Sequence, residues 1–226
     1  MLSKLDLKLT NLAVINLINL NVDLYMTNRN VIWLVKPVSY QAILKRCPGC
    51  KVKNEFYPAG TFRVNAQKKV LDVWSIYKCE KCDYTWNIDI FSRIHVNKLE
   101  SNLYERFLHN DQDEIRRYAF DYRVLAKNRA ELGATPDFII EGKELQDIAQ
   151  IPAAEITIQL EYPIPIRLIS ILTKKLLLSR SRVARLVEQG TIQGVTETEL
   201  NKKLKRDITL SVNVNDLLQE YDNHCV

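Results

Sequence analysis

Residues 46–50, RCPGC, and residues 78–82, KCEKC, carry four of the chain's five cysteines as two C-x2-C pairs with 28 residues between them. A two-residue spacing lets one tight turn aim both sulfurs at a single point, about 2.3 Å from a tetrahedral Zn2+. Two such turns complete a closed four-thiolate shell, with Cys47, Cys50, Cys79 and Cys82 as ligands and no position open for chemistry. The interval is longer than the roughly 15–20 residues of the common pattern, and hairpin strands fill it. Disulfides belong to exported chains, and a redox C-x-x-C comes as one pair between a strand and a helix. Iron, alone or in an iron–sulfur cluster, accepts the same ligands. Structural zinc is the expected cofactor. Cys225, next to His224, reads as a tail thiol rather than a fifth ligand.

The residues between and after the pairs alternate as strands do. In VLDVWSIY, Val70, Asp72, Trp74 and Ile76 fall on one side and Leu71, Val73, Ser75 and Tyr77 on the other. In YTWNIDI, Tyr84, Trp86, Ile88 and Ile90 share a face opposite Thr85, Asn87 and Asp89. NAQK, between Val64 and Lys69, is expected to be the hairpin loop. The resulting expectation is a zinc ribbon: two metal-holding turns joined by a three-stranded antiparallel sheet. Lys45, Arg46, Lys51, Lys53, Lys78 and Lys81 crowd the turns. They could face a nucleic acid, but a zinc ion with four thiolates has a formal charge near −2, and offsetting it is the favoured reading. The ribbon aromatics are expected to form a small core rather than base-stacking platforms.

RCPGC, TFRVNAQKKVLDVWSIYKCEKCDYTWN and FSR resemble the bacterial domain of unknown function 1062 family, from about Trp33 to about Ile192. FRVNA followed by LDVW and IYKC is the most specific part. The resemblance implies the zinc ribbon and no established activity.

Downstream, residues 98–132 have the period of one or two amphipathic helices. Leu99, Leu103, Phe107 and Leu108 make one stripe, and Ile115, Ala119, Tyr122, Leu125 and Ala126 another. HNDQDE (109–114) interrupts them as a capping turn, with Asp111 three residues before Glu114. His109 and Asp111 lack a third group to orient them as an acid–base pair, so capping is the expected role. A strand follows, with Ile156, Ile158 and Leu160 alternating against Thr157, Gln159 and Glu161. Pro163 and Pro165 close it and mark a module boundary.

Beyond them Leu168, Ile169, Leu172 and Leu176 recur at helical spacing, with Lys174 and Lys175 near the helix end. Ser179 or Ser181 caps a second helix whose buried stripe is Val183, Leu186 and Val187. Arg182, Arg185 and Gln189 share the opposite face, and Gly190 ends the helix. KKLKR (202–206) then leads into a strand with Ile208, Leu210, Val212 and Val214 alternating. Arg167, Leu168, Leu172, Ser179, Arg180, Ser181, Leu186, Val187, Gln189 and Gly190 resemble the small RNA-binding fold named after small-subunit ribosomal protein S-four. The sequence departs from that pattern at Ala184, where an arginine is common, and at QGV (193–195), where a Val-Asn-Gly hairpin usually stands. The resemblance implies RNA contact through Lys174, Lys175, Arg180, Arg182, Arg185 and Gln189, sensing shape more than sequence.

Charge is distributed unevenly over the 226 residues. Residues 1–96 hold 14 Lys/Arg against 7 Asp/Glu, 97–162 hold 8 against 13, 163–206 hold 10 against 3, and 207–226 hold none against 4. Two basic blocks around an acidic middle point to modules with polyanionic partners. The most apolar stretch, NLAVINLINLNVDLYM (11–26), is broken by polar residues and lacks a cleavage site. No membrane span or secretory signal is expected, and the location expected is cytoplasmic. Residues 1–25 read equally as a loose extension (or a leader, with Met26 as an alternative start) and as an element packed on the core. No phosphate-loop, nucleophile-elbow or H-E-x-x-H pattern occurs, so no enzyme is expected.

The organisation expected is α+β: an extension (1–30), a zinc ribbon (31–96), a helical linker segment with a strand (97–162), a small α/β module of RNA-binding type (163–215) and a tail (216–226). The leading function is non-enzymatic RNA or ribosome association, with ribosomal or transfer RNA as candidate partners. The competing one is a protein-interaction or transcription-regulatory module stabilised by structural zinc, with a protein partner.

Overall fold

The computed structural model describes residues 29–100 and 102–222. The expectations for residues 1–25 and for His224 and Cys225 lie outside them. The protein is α+β, with two five-stranded sheets and two compact units, each discontinuous in sequence. No helix among the described residues is long and apolar enough to cross a membrane.

The first unit comprises Lys36–Ile139 and Leu160–Ile166. Its sheet contains β2 (Ile43–Arg46), β3 (Lys53–Gln67), β4 (Val70–Cys79), β5 (Thr85–His95) and β6 (Glu131–Leu132), in the order β5-β4-β3-β2-β6. All the pairings are antiparallel. Along β4, Leu71, Val73, Ser75 and Tyr77 are buried while Val70, Asp72, Trp74 and Ile76 are half-buried, the alternation the sequence predicts. The sheet is larger than the expected three strands, because β2 and β6 extend it. The hairpin loop also differs. Asn65, Ala66 and Gln67 lie in β3, opposite Asp72, Leu71 and Val70. The turn is only Lys68–Lys69, with Lys68 in the left-handed region (φ 56). This end of β3 is exposed, so its polarity marks a strand that has left the core rather than a loop.

Three short helices follow: α1 (Leu103–Leu108), α2 (Gln112–Ala119) and α3 (Tyr122–Lys127). α1 and α2 pack on β3, and α3 packs on β5. Asp111 caps α2 by accepting the Glu114 N–H at 3.0 Å. Asp121 caps α3, accepting the N–H groups of Arg123 (2.9 Å) and Val124 (3.2 Å). Glu114 does not reach back to complete a capping box. It is 1% exposed and holds Arg106 at 2.6 Å and Arg117 at 3.4 Å. Phe62, Phe91, Phe107 and Tyr118 meet largely edge-to-face, with centroids 4.9–6.3 Å apart, the favoured geometry for aromatic quadrupoles.

The second unit takes the described residues up to Val35, Ile140–Gln159 and Arg167 onward. Its sheet combines β1 (Asn30–Pro37), β7 (Phe138–Glu141), β8 (Ala153–Leu160), β9 (Ile192–Gln193) and β10 (Ile208–Asn213), in the order β7-β1-β8-β10-β9. The strand at residues 30–37, which the linear reading assigns to the ribbon segment, therefore belongs to a sheet whose other members come from beyond residue 137. In the antiparallel pair β8–β10, Ala154, Ile156 and Ile158 face Val212, Leu210 and Ile208. Against this stand α4 (Leu168–Leu176), α5 (Arg180–Glu188), α6 (Glu197–Leu200) and α7 (Val214–Asp222). The periodic residues Leu168, Ile169, Leu172 and Leu176 of α4 are all buried, as are Val183 and Leu186 of α5. Ser179 caps α5, accepting the Arg182 N–H at 3.4 Å. Gly142 (φ 126) makes the close approach of β7 and β1 feasible: a Cβ there would stand 2.1 Å from the Ile32 carbonyl oxygen.

Candidate metal centre and basic helix face

The four cysteines predicted to act together do meet. Their sulfurs all lie within 4.8 Å of one another, with Cys47 and Cys82 3.4 Å apart and Cys50 and Cys79 3.9 Å apart. Sulfurs about 2.3 Å from a tetrahedral metal stand roughly 3.8 Å from each other, so the cluster has the size of a single four-thiolate shell. All four are free thiols and no disulfide forms among them.

Two matching turns build this geometry. In the first, Cys47 N–H donates to the Val52 carbonyl and Lys51 N–H to the Cys47 carbonyl, each at 2.8 Å. In the second, Cys79 N–H donates to the Tyr84 carbonyl at 2.9 Å and Asp83 N–H to the Cys79 carbonyl at 3.1 Å. Lys51 (φ 62) and Asp83 (φ 56) hold the left-handed position at equivalent points. Gly49 sits against the cluster, and a Cβ there would stand 3.0 Å from Cys82 Sγ, crowding the sulfur. Cys47 and Cys79 are buried, Cys50 is half-buried and Cys82 is exposed. Antiparallel pairing of β2 with β3 and of β3 with β4 (Arg46 opposite Lys53, Phe56 opposite Cys79) brings the two turns to one end of the sheet.

Electrostatics at the centre favour a cation. Burial opposes ionisation of Cys79, yet the amide groups of Lys81 and Cys82 and the neighbouring thiols bring it down to about 6. Hydrogen bonding with Cys82, followed by burial, pushes Cys50 up to about 12. Sulfurs this close cannot all shed their protons without a positive ion to receive the charge. Asn54, buried on β3, donates to Cys79 Sγ at 3.6 Å, a contact of the kind that orients a sulfur for metal binding. It was not singled out from the sequence; the signal was a polar residue at an inward-facing position two before Phe56.

The lysines and arginines near the turns divide. Lys53 pairs with Glu131 at 2.5 Å. Lys45 sits 3.2 Å above the Trp86 ring, and burial lowers its pKa. Arg46, Lys51, Lys78 and Lys81 are exposed. Beside the centre, Lys45, Arg46, Pro48, Phe56, Tyr84 and Trp86 line much of an open cavity of about 320 Å3.

The residues expected to contact RNA also divide. Lys174, Arg180, Arg185 and Gln189 are exposed. Lys175 is 9% exposed, with its Nζ on Glu144 Oε1 at 2.5 Å and the Gly142 carbonyl at 3.1 Å, 5.7 Å from the Trp33 ring centre. Arg182 turns toward α7, 3.4 Å from the Glu220 carboxylate. Adjacent positions on one helix thus have different fates, because the loop after β7 and helix α7 each bring up an acidic partner. His109 Nδ1 contacts the Glu105 carbonyl at 2.8 Å, while the Asp111 carboxylate takes the Arg106 guanidinium at 3.1 Å. Each of the two has its own local partner.

No curated protein and no solved structure matches the chain. A family model described as Protein of unknown function (DUF1062) matches residues 64–198. That span runs from β3 to α6, taking in the second cysteine pair and the α4–α5 hairpin, and covers well over half of the 226 residues. The chain belongs to the DUF1062 family.

Proposed function

We propose that this protein is a non-enzymatic RNA-binding protein whose first unit is a zinc ribbon and whose α4–α5 hairpin carries the RNA contact. Zinc is favoured by the donor set: four thiolates, a closed shell of tetrahedral size, and an ion that has no redox chemistry to manage. Its role is structural, since Cys47, Cys50, Cys79 and Cys82 fill four positions and leave none for substrate.

One observation carries the RNA reading. α5 presents Arg180, Arg185 and Gln189 to solvent, beside exposed Lys174, on the hairpin that resembles the S-four RNA-binding fold. Ser181, Arg185 and Gln189 follow one another at intervals of four residues and so form one stripe. In this reading Lys175 and Arg182 hold the hairpin in position through Glu144 and Glu220 rather than touching RNA.

Fluorescence anisotropy with a labelled RNA hairpin tests it. With three to five phosphates neutralised, log K is expected to fall with log[salt] at a slope of roughly −2 to −4. Arg180→Glu with Arg185→Glu is expected to weaken binding at least tenfold. A flat salt response, or a double variant that binds like the unaltered protein, rules the reading out. Elemental analysis is expected to give one zinc per chain; a full complement of iron instead rules out the metal assignment.

A further inference from the structure

The segment KKLKR, between α6 and β10, has no part in the hairpin reading. Lys202, Lys203, Lys205 and Arg206 are all exposed around a half-buried Leu204. Lys203 forms an antiparallel bridge with Arg167, so the fold adds a fifth exposed cation from the start of α4. Residues 202–209, with Leu168, Gly194 and Glu199, line an open groove of about 910 Å3.

The charge here is not balanced from within. Four cations, Lys202, Lys203, Lys205 and Arg206, stand in the lining against the two carboxylates of Glu199 and Asp207, so the groove keeps a net positive charge. Glu199, on the rim, is occupied in the α6 cap, where it accepts from Thr196 N–H at 2.9 Å and Thr196 Oγ1 at 2.8 Å. Holding several like charges around one concavity is unfavourable until an anion enters. The lining contains no aromatic side chain, so the groove offers no platform for splayed bases. Lysines there act as point charges suited to phosphates, which carry no sequence information.

We propose that this groove is a second phosphate track, seating the backbone of a base-paired RNA segment while the exposed α5 face contacts another part of the same molecule. The proposal rests on the RNA reading above and extends it to residues 167 and 202–206.

The full-length protein is titrated against a labelled RNA hairpin over a range of salt concentrations. Three proteins are compared: the unaltered chain, Lys203→Glu/Lys205→Glu/Arg206→Glu, and Arg180→Glu/Arg185→Glu. The groove variant is expected to lose at least tenfold in affinity and to have a salt slope shallower by about 2–3. Its neutral counterpart, Lys203→Gln/Lys205→Gln/Arg206→Gln, is expected to fall between, and thermal melts of all the variants to match the unaltered protein. A groove variant that binds within twofold of the unaltered chain, while the α5 variant fails, overturns the groove and leaves the hairpin reading standing. Absence of binding by the unaltered chain overturns both. Inorganic tripolyphosphate supplies the small-anion arm. If it displaces the hairpin at equal phosphate concentration, the groove belongs to a small polyphosphate and the backbone assignment fails.

Discussion

In one sheet, neighbours in space are largely neighbours in the chain: β5, β4, β3 and β2 lie side by side in sequence order. In the other, β1 from residues 30–37 lies between β7 and β8, from residues 138–141 and 153–160. Both sheets have five strands, but they pose different folding problems. The first closes through tight connections, so local periodicity and turn residues suffice to set its register. The second must close long loops before its contacts stabilise anything, an entropic cost carried by the whole unit. The cysteine centre occupies the locally built sheet, where its two turns are fixed by hairpin pairing. The basic surfaces occupy the other, where distant segments decide which cations stay exposed.

The most damaging way to test this contrast is to remove a sulfur. Cys79→Ser is expected to abolish metal binding and to cost on the order of 5 kcal/mol or more, with amide exchange rising over β2–β5. Full metal content and an unchanged melt would mean that the hairpins hold the turns unaided. Next comes Trp33, buried in β1 with its Nε1 donating to the Lys143 carbonyl at 3.0 Å. Trp33→Ala should cost about 3–5 kcal/mol by denaturant unfolding; a loss below 1 kcal/mol would show that β1 is a dispensable strand of its sheet.

A smaller effect of opposite sign is expected at Leu177, which ends α4 in the left-handed region (φ 53) and is 86% exposed. Glycine suits that position and little burial is lost, so Leu177→Gly should raise stability by about 1 kcal/mol. A destabilised variant would mean that Leu177 makes contacts the monomer does not account for. The smallest effect concerns acid. The Arg106 guanidinium, then the Glu114 amide, hold the Asp111 carboxyl below its ordinary 3.8. A carboxyl with a depressed folded pKa gives stability that is complete above its unfolded value and is lost as pH falls through the folded one. Asp111→Asn should therefore lower stability slightly at neutral pH, where the carboxylate's contribution is complete, and flatten the acid limb of the melting profile below about pH 4. An unaltered acid limb would remove Asp111 from the pH response.

Much of the first sheet was legible in advance because a strand's two faces alternate whatever surrounds them. The two sets, Leu71, Val73, Ser75 and Tyr77 against Val70, Asp72, Trp74 and Ile76, could be read directly, while packing decided that the first faces inward. Asn65–Gln67 misled because polarity was equated with a loop, when β3 simply continues past the edge of the core. The Asp121 cap, which separates α2 from α3, was missed because the apolar period runs across it without a break. At the centre, the four clustered cysteines were named by spacing alone, whereas Asn54 depends on the register of β3. On α4 and α5, six residues of similar promise separated only in the fold, where Glu144 takes Lys175 and Glu220 takes Arg182.

The order of residues by itself determined the cysteine set, the two alternating sides of β4, the apolar stripes of α4 and α5, and the helix cap near Ser179, because each depends on spacing within a few residues of chain. The tertiary structure alone decided that the strand at 30–37 pairs with segments beyond residue 137, that Lys175 and Arg182 are engaged, and that Arg167 joins the KKLKR segment. Those outcomes depend on which remote carboxylate or strand edge arrives at a given point. Long loops close with costs that change only slowly with their length, so linear distance says little about which segments will meet.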